Sequence, residues 1–351
     1  MKYIVNARFL TQQITGVQRY AIEIGLRLKN KLGDDIIFMS PHEILQHDIA
    51  SQLDAQIVGK HSSHLWEQLD LPLNLMRLGN PLLLCLCNTA PIFYKNKIVT
   101  VHDVAFELYP KSFSKNFVRL YKFMIPRVVR NSKHVVTVSN FSKDEIASIY
   151  EIDKEKISVI ANAVSERFNP VLDEGLRKEK YFLAVSSLNY RKNFIPVLQA
   201  FKLLLERNGN YKLFVVGDIK NKSFSEVDLS EYTSIPNIKF LGRISDEDLI
   251  RYYSNAVGFV YPSLYEGFGI PPLESQKCGC PVLCSDIPVL HEVCGDSVMY
   301  CNPHDIQDIA EKMLNLAENK MKFREFGLNN VGRYSWEQSA TKLRNVLEIY
   351  Q

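Results

Sequence analysis

From Tyr261 to Asp286 the sequence reads YPSLYEGFGIPPLESQKCGCPVLCSD, and this segment indicates the class of fold. The apolar residues 256–261 predict a short buried strand. Residues 266–269 then form a loop whose glycines let bare backbone approach a ligand. Pro271 and Pro272 predict a helix start, because the N–H that proline lacks has no intrahelical partner there. Together they predict a phosphate-binding turn at the carboxyl end of a strand, where open α/β sheets bind ligands.

Two glutamates, Glu266 and Glu274, lie in this stretch. Glu266 precedes the predicted helix, whereas Glu274 lies within its first turns. Because Glu266 is outside the helix, their spacing does not place the two side chains on one helical stripe. Both can still border the same cleft, so the stretch predicts a site that contains two carboxylates.

In this context the pair resembles the E-x7-E motif of the family 4 retaining glycosyltransferases, because YPSLYEGFGIPPLE is followed by GCPV. The resemblance extends from Gly16 to Trp336 and is closest to bacterial mannosyltransferase-type members of polysaccharide and O-antigen assembly. It implies an α/β protein of the GT-B fold, with two Rossmann-like domains facing across a cleft. Residues 1–170 would form the acceptor-binding domain. A C-terminal helix at about 335–351 would cross back to this first domain and complete it. Residues 171–334 would bind the nucleotide-sugar donor.

Length and composition agree with two globular domains. The chain has 351 residues, of which 46% are hydrophobic and 23% charged, as in soluble globular proteins. A net charge of +3 is too small to indicate a nucleic-acid partner. The seven cysteines lack the spacing of a zinc site and predict buried free thiols in a reducing compartment. Because residues 2–5 run straight into a predicted strand, we expect no signal peptide and a cytoplasmic protein.

The first domain offers two candidate donor contacts. Gly16 lies where a predicted first strand leads into a helix at 17–29, and TGVQRY resembles the glycine loop of the family, with Thr15 in place of one glycine. Gly16 is either that phosphate-facing backbone or an ordinary helix-start glycine. His102 ends a predicted strand at 97–101, beside Asp103. It is either a core histidine hydrogen-bonded by Asp103 or, as the matching pair in the family implies, a contact to the donor sugar.

The segment 111–133 contains seven lysine and arginine residues, no acidic residue, and aromatic residues at helical spacing. A basic amphipathic helix of this kind can lie on an anionic membrane surface. It can equally be a core-packed helix whose basic face is solvated. Because members of the family often act on lipid-linked acceptors, the resemblance favours peripheral contact with the inner face of the cell membrane.

Three short patterns are read as local structure. Ser142 and Glu145 predict a capping box at a helix start. The pair His61 and His64 lacks a third ligand nearby, so we expect a solvated loop or helix face instead of a metal site. The D-x-D of residues 246–248 follows Ser245 and is typical of a capped helix start. We therefore expect no metal and no cofactor besides the nucleotide-sugar co-substrate.

In the second domain, Arg191 and Lys192 follow a predicted strand at 181–185, in a stretch that resembles the family's G-S-L-x-x-R-K-N. Adjacent cations at a strand end suit a diphosphate, because they neutralise charge on the leaving nucleotide. Ser186 stands where the family commonly has glycine. The segment after the strand at 238–241 would hold the nucleobase, as it does in relatives.

The resemblance implies roles for these residues. Glu266 would hold sugar hydroxyls, Glu274 the ribose, and the backbone N–H groups of Phe268 and Gly269 the β-phosphate. The implied catalytic residues are His102, Lys192 and Glu266. The implied donor-binding residues are Gly16, Arg191, Lys192, Gly242, Arg243, Ile244, Glu266, Gly267, Phe268, Gly269, Ile270 and Glu274.

The implied reaction moves a hexose, with mannose from GDP-mannose as the first choice, to a hydroxyl of a lipid-linked or growing surface glycan. No carboxylate nucleophile is evident beside the anomeric carbon, which favours front-face attack with the departing phosphate as base. Two alternatives are a nucleotide-sugar epimerase of the same fold and a non-catalytic sugar-nucleotide binding subunit. The E-x7-E context argues against the epimerase, and the intact set of implied site residues argues against the inactive subunit.

Overall fold

The computed structural model describes residues 2–185, 190–217 and 229–350. The chain divides into two compact units. The first comprises residues 1–162 together with 335–351, and the second comprises residues 163–334. Each unit is built on its own parallel β-sheet.

The sheet of the first unit has seven described strands in the order β3-β2-β1-β4-β5-β6-β7, all parallel. The strands are β1 (Tyr3–Asn6), β2 (Ile36–Ser40), β3 (Gln56–Ile57), β4 (Leu83–Cys85), β5 (Lys97–Thr100), β6 (His134–Thr137) and β7 (Ile157–Val159). Because β1 pairs with both β2 and β4, the chain winds outward in two directions from the centre. This is the doubly wound arrangement, with its topological switch point between β1 and β4.

Helices connect these strands. They are α1 (Gly16–Leu32), α2 (His47–Gln52), α3 (Ser63–Leu65), α4 (Leu71–Arg77), α5 (Ala105–Leu108), α6 (Lys115–Asn131) and α7 (Asn140–Tyr150). A five-residue π-helix, Trp66–Asp70, joins α3 to α4, so residues 63–77 form one continuous helix. Its buried apolar residues, Trp66, Leu71 and Leu75, and those of α6 pack on the same apolar cluster as β4, β5 and β6.

The sheet of the second unit has six described strands in the order β10-β9-β8-β11-β12-β13, also parallel. The strands are β8 (Tyr181–Val185), β9 (Lys212–Val216), β10 (Ile238–Gly242), β11 (Gly258–Tyr261), β12 (Val282–Ser285) and β13 (Met299–Cys301). The helices are α8 (Glu174–Lys178), α9 (Phe194–Arg207), α10 (Ser230–Thr233), α11 (Asp246–Asn255), α12 (Ile270–Lys277), α13 (Pro288–Cys294), α14 (Ile306–Glu318) and α15 (Lys320–Val331). Here the switch point lies between β8 and β11.

The last helix, α16 (Trp336–Ile349), belongs to the first unit. Ser335 caps it by accepting a hydrogen bond from the backbone N–H of Glu337 at 3.2 Å. The Ser339 hydroxyl donates to the carbonyl of Ala161 at 2.7 Å, and the ring of Trp336 meets that of Tyr20 edge-on. These contacts attach the C-terminal helix to α1 and to the end of the first sheet.

One expectation about local structure is wrong. Helix α7 begins at Asn140, and its N-cap is Ser139, whose hydroxyl accepts from the backbone N–H of Ser142. The chain therefore enters the helix three residues before the predicted cap at Ser142. Residues 41–78, for which the sequence gives no clear pattern, contain two helical segments and a strand. The π-helical turn explains part of this, because it shifts the apolar spacing that identifies a helix.

The cysteines agree with the expectation of free thiols. All seven are free, and all but Cys87 are buried. None of the helices in the described part of the chain is both long enough and apolar enough to cross a bilayer.

Candidate active site

The glycine loop and the helix that follows it have the predicted geometry. Gly269 has φ of 103°, a left-handed conformation that glycine adopts without strain. A Cβ at this position would also lie 2.7 Å from Cδ2 of Leu290. Ile270 begins α12, with Pro271 and Pro272 in its first turn. Phe268 is buried against Tyr334, their ring centroids 5.4 Å apart. The loop is therefore fixed by packing.

Glu266 is buried and paired with both predicted phosphate-binding cations. Its Oε1 lies 2.6 Å from Nζ of Lys192, and its Oε2 lies 3.2 Å from Nη1 of Arg191. The exposed fraction of the side chain is only 9% for Glu266, 17% for Lys192 and 13% for Arg191. Pairs this far from water interact more strongly than surface pairs, provided that their hydrogen bonds are satisfied. The structure thus brings together three of the residues that the sequence singled out.

Two neighbouring hydroxyls complete the environment of Glu266. Tyr261 donates to Oε1 at 2.7 Å, and Ser263 donates to the same atom at 2.5 Å. Burial alone would raise the pKa of Glu266, but Lys192 and Arg191 outweigh it and lower the pKa to about 2. Burial and the carboxylate raise the pKa of Tyr261 well above its usual value. Glu266 is therefore ionised and Tyr261 protonated at neutral pH.

Arg191 and Lys192 lie in a short 3-10 turn, Tyr190–Lys192, that follows β8 and precedes α9. The backbone N–H of Leu264 donates to the carbonyl of Arg191 at 2.8 Å, and Nη1 of Arg191 donates to the carbonyl of Tyr265 at 2.6 Å. These bonds tie the turn after β8 to the loop after β11. The cluster therefore lies at the switch point of the second sheet, where ligands bind in this class of fold. Ser186, the family's glycine position, is outside the described residues.

Glu274 lies within α12 and is partly buried. Its carboxylate is close enough to Tyr253 to add to the effect of burial, which raises the pKa of that tyrosine. The segment predicted to hold the nucleobase follows β10. Gly242 has φ of 71°, Arg243 is exposed and Ile244 is partly buried. Both features belong to the second unit.

The D-x-D of residues 246–248 and the pair of His61 and His64 were predicted to be local structure and not metal sites. In the structure both have local partners. The hydroxyl of Ser245 accepts from the backbone N–H of Asp248, so the D-x-D lies in the capped first turn of α11. His61 and His64 each lie beside an acidic side chain of the π-helix, Asp70 at 2.8 Å and Glu67 at 3.4 Å. Within the described residues, no group of three or more potential metal ligands is present.

In the first unit, His102 is buried after β5, and its hydrogen-bond partner is not Asp103. Its Nε2 lies 3.0 Å from the carbonyl oxygen of Leu86, so this nitrogen carries the proton. Asp103 instead accepts from the backbone N–H of Ala105. Burial lowers the pKa of His102, against the opposing effects of Leu86 and Asp103. His102 is therefore neutral, with Nδ1 as its acceptor nitrogen.

Gly16 is exposed and is the first residue of α1. Thr15, which replaces a family glycine, is the N-cap of this helix and forms a capping box with Gln18. The substitution therefore exchanges backbone freedom for a side chain that caps the helix. Tyr20, one turn into α1, packs edge-on against the ring of His102 with centroids 4.8 Å apart.

Sequence reasoning missed the hydroxyls that hold Glu266. Tyr261 and Ser263 lie in the stretch that carries the motif, five and three residues before Glu266. This spacing does not indicate a contact, because the contact forms only when the loop folds back on the strand. Arg8 and Glu67, a second buried ion pair with 3.4 Å between Nε and Oε1, were also missed. They are 59 residues apart and carry no motif.

Family models match both halves of the chain. Residues 14–168 match Glycosyltransferase Family 4, and residues 173–330 match Glycosyl transferases group 1. The O-antigen chain mannosyltransferase RfbU of Salmonella typhimurium is 33% identical over 274 residues, 78% of this chain and 75% of that protein. The chain belongs to the family 4 glycosyltransferases. It is therefore a glycosyltransferase enzyme.

Two further similarities agree with this assignment. The O-antigen chain mannosyltransferase B of Escherichia coli is 31% identical over 74% of this chain and 73% of its own length. The crystal structure of Anabaena HepE with UDP and glucose matches with a TM-score of 0.75 over 99% of both chains, at 16% identity. That structure supports the fold alone, which is GT-B.

Proposed function

We propose that this glycosyltransferase moves mannose from GDP-mannose to a hydroxyl of a growing, lipid-linked surface glycan, with retention at the anomeric carbon. One observation carries the proposal. At the switch point of the second unit, Arg191 and Lys192 are held beside the buried carboxylate Glu266. Such a pair of cations suits a diphosphate leaving group. Two relatives named as O-antigen chain mannosyltransferases support the choice of sugar and of glycan.

The reaction is a front-face displacement. The acceptor oxygen bonds to the anomeric carbon on the face from which the diphosphate departs, and the bond between that carbon and the β-phosphate oxygen breaks. The acceptor proton passes to a β-phosphate oxygen. Lys192 and Arg191 stabilise the negative charge that develops on the diphosphate. Their present pairing with Glu266 keeps both cations in place before the donor binds.

The proposed roles of the remaining donor-binding residues come from the family resemblance. Glu266, ionised and already accepting from two hydroxyls, suits the hydroxyl groups of the sugar. Glu274 would bind the ribose, and the segment from Gly242 to Ile244 the base. The N–H groups at Phe268 and Gly269 precede α12, whose positive end favours the β-phosphate.

His102 suits an uncharged contact to the donor sugar. With its Nε2 proton donated to Leu86, the neutral ring presents Nδ1 as an acceptor for a sugar hydroxyl. Because burial disfavours the imidazolium, the ring would not compete with Lys192 for the diphosphate. Gly16, at the exposed start of α1, would offer backbone N–H to the donor phosphates. In this proposal the first unit binds the acceptor, the second unit binds the nucleotide of the donor, and no metal takes part.

The test of donor identity is thermal stabilisation. A ligand that binds only the native state raises stability by RT ln(1 + [L]/Kd), about 2.7 kcal/mol at one hundred times Kd. We expect GDP and GDP-mannose to raise the melting temperature, with little effect from ADP or UDP. The Lys192→Ala variant should lose most of the GDP effect. Stabilisation by UDP alone would overturn the choice of base, and no response to any nucleotide would overturn the donor site.

We also propose that α6 contacts the anionic inner face of the cell membrane. The basic residues of segment 111–133, which includes α6, are Lys111, Lys115, Arg119, Lys122, Arg127, Arg130 and Lys133. All are exposed. Lys122 pairs with Glu107 at 3.0 Å, and the Arg127 guanidinium lies 3.9 Å from the Phe123 ring centroid. The exposed face of α6 therefore combines positive charge with Leu120 and Phe123.

A neighbouring helix adds apolar surface on the same side of the first unit. Leu65, Leu69, Leu73 and Met76 recur every three or four residues along 63–77 and are each 46–54% exposed. Because this helix and α6 pack on the same core cluster, their outer faces point away from the same face of the sheet. Exposed apolar residues beside a basic face suit a lipid interface. Such docking would hold a cytoplasmic enzyme close to a lipid-linked acceptor.

A further inference from the structure

The switch point of the first sheet holds a buried polar cluster. Asn6 ends β1, Arg8 lies two residues beyond it, and Thr89 follows β4. Glu67 reaches the same point from the π-helix between α3 and α4. The second sheet has its own cluster of cations and a buried carboxylate at the equivalent place. Because open α/β sheets bind ligands at their switch points, the first unit has a candidate site of its own.

The cluster is built around one carboxylate. Oε1 of Glu67 accepts from Nδ2 of Asn6 at 2.7 Å, from Nε of Arg8 at 3.4 Å and from the hydroxyl of Thr89 at 3.0 Å. Burial would raise the pKa of Glu67, but Arg8 reverses the direction and keeps the carboxyl ionised. A buried ion pair adds little net stability, because both charges lose their water. Its position at the switch point therefore points to a role in binding.

One part of the buried guanidinium is not used by the fold. Nε of Arg8 donates to Glu67, and Nη2 donates to Thr89 at 2.8 Å. Within the described residues, Nη1 has no hydrogen-bond partner, although the side chain is only 7% exposed. Arg8 thus retains a donor nitrogen for a ligand. The adjacent π-helix is a second sign. Such turns are rare in proteins, and those that occur are often found at functional sites.

Aromatic side chains border this cluster. The ring of His64, whose Nδ1 lies 3.4 Å from Glu67, meets the ring of Tyr121 edge-on at 6.5 Å. Tyr121 stacks on Phe117 at 3.9 Å. The charge of Arg8 acts to lower the pKa of Tyr121, but the larger effect of burial raises it. His64 and Tyr121 are both partly exposed and extend the cluster to the surface.

The chemistry of these groups selects a class of ligand. The charges of Arg8 and Glu67 cancel, which disfavours a free phosphate and suits neutral hydroxyl groups. A stacked aromatic side chain offers an apolar surface, and a pyranose ring has apolar faces to match. We propose that Arg8, His64 and Tyr121 form a subsite on the first unit for a neutral hexose of the acceptor glycan. This inference rests on the proposed glycosyl transfer, which supplies the acceptor.

The protein carries its own probe for this subsite. Trp66 is fully buried in the π-helix, and Trp336, the other tryptophan, also belongs to the first unit. The Trp336→Phe variant leaves Trp66 as the sole indole, and wild type serves as a second measurement if that variant unfolds. Emission is titrated with methyl α-D-mannopyranoside, without any nucleotide, and separately with inorganic phosphate. We expect a saturable change with the mannoside and none with phosphate.

The deciding variant is Tyr121→Phe, which keeps the aromatic stack and removes one hydroxyl. Loss of one neutral hydrogen bond should weaken mannoside binding about threefold to tenfold. The matched control is Tyr350→Phe, also in the first unit, whose hydroxyl lies 3.0 Å from His134 at the start of β6. It should bind the mannoside as wild type does. Phosphate binding, or equal mannoside affinity in wild type and Tyr121→Phe, would overturn the subsite.

Kinetics separate this inference from the proposed function. In transfer assays Tyr121→Phe should raise the KM for the acceptor and leave the KM for the donor and donor hydrolysis by water unchanged. If transfer is normal in Tyr121→Phe, the subsite is wrong and the proposed function stands. If the protein transfers no sugar but shows Tyr121-dependent mannoside binding, the proposed function is wrong and the subsite stands.

Discussion

The ammonium of Lys192 lies 2.6 Å from Oε1 of Glu266, although 74 residues separate them in the chain. The same ammonium donates to the hydroxyl of Tyr261 at 2.7 Å, and Tyr261 donates to Glu266. The carboxylate therefore holds the cation that a diphosphate would need. When the donor binds, the phosphate would compete with Glu266 for Lys192, while Arg191 continues to compensate the carboxylate.

Replacing Lys192 by alanine should therefore cripple transfer and leave the fold intact. Loss of one charge-stabilising contact costs roughly 3–4 kcal/mol in the transition state, or about two to three orders of magnitude in kcat. Arg191 still neutralises Glu266 in the variant. The control is Lys202→Ala, which removes a surface lysine of the same unit that pairs with Glu231. Near wild-type turnover in Lys192→Ala would refute the phosphate assignment.

The depressed pKa of Glu266 predicts a specific dependence of stability on pH. Its folded pKa of about 2 lies below the usual 4.5, so ionised Glu266 stabilises the protein above pH 4.5. That contribution, on the order of 3 kcal/mol, is lost as the pH falls from 4.5 towards 2. Urea unfolding at several pH values should show a weaker acid dependence in Glu266→Gln than in wild type. Parallel curves for the two proteins would contradict the ionised pair.

Activity should persist in EDTA, because the D-x-D of residues 246–248 lies in a capped helix turn and the cations of the site are side chains. The measurement is the initial rate of transfer before and after chelation and dialysis. As a control, Asp246→Asn and Asp248→Asn should transfer at near wild-type rates. Loss of activity that Mg²⁺ or Mn²⁺ restores would sink the metal-free mechanism.

The basic face of α6 should bind vesicles that contain phosphatidylglycerol. Each basic residue that reaches the surface contributes about 1 kcal/mol, and salt screens the attraction over about 10 Å at 0.1 M. We expect flotation with anionic vesicles at low salt, and loss of binding in the triple variant Lys115→Gln, Arg119→Gln and Lys122→Gln. A triple variant with the same charge change in the second unit, at Lys178, Lys320 and Lys322, is the control.

The exposed apolar residues of helix 63–77 add a second prediction about vesicle binding. If Leu65, Leu69 and Leu73 enter the interface, part of the binding should resist high salt and disappear when they are replaced by serine. Equal flotation with neutral and anionic vesicles would remove the electrostatic role of α6. No flotation with either would leave both helices as solvated surface.

The sequence predicted what depends on local pattern. The strand, glycine loop and proline-started helix around Gly269 follow from backbone rules, and the structure has them within a few residues. The cap of α11 was predicted for the same reason. Helix α7 was misplaced because Ser139 and Ser142 are both good caps, and only tertiary packing selects between them.

Contacts between distant segments could not be predicted in this way. Glu266 and Lys192 were singled out separately by family resemblance, but nothing in their spacing indicated that they pair. The pair of Arg8 and Glu67 has no motif at all, because it forms where two strand ends and a π-helix meet. One of the two predictions for His102, a hydrogen bond from Asp103, is wrong. Asp103 instead accepts from the backbone N–H of Ala105, at the start of α5.

The configuration of the transferred sugar distinguishes a retaining mannosyltransferase from the alternatives. The purified protein is incubated with GDP-mannose and a mannose-terminated acceptor, and the anomeric centre of the product is read by NMR. We expect an α-mannoside, with the configuration of the donor kept and one GDP released for each bond formed. A β-linked product, or GDP release without transfer to the acceptor, would contradict it.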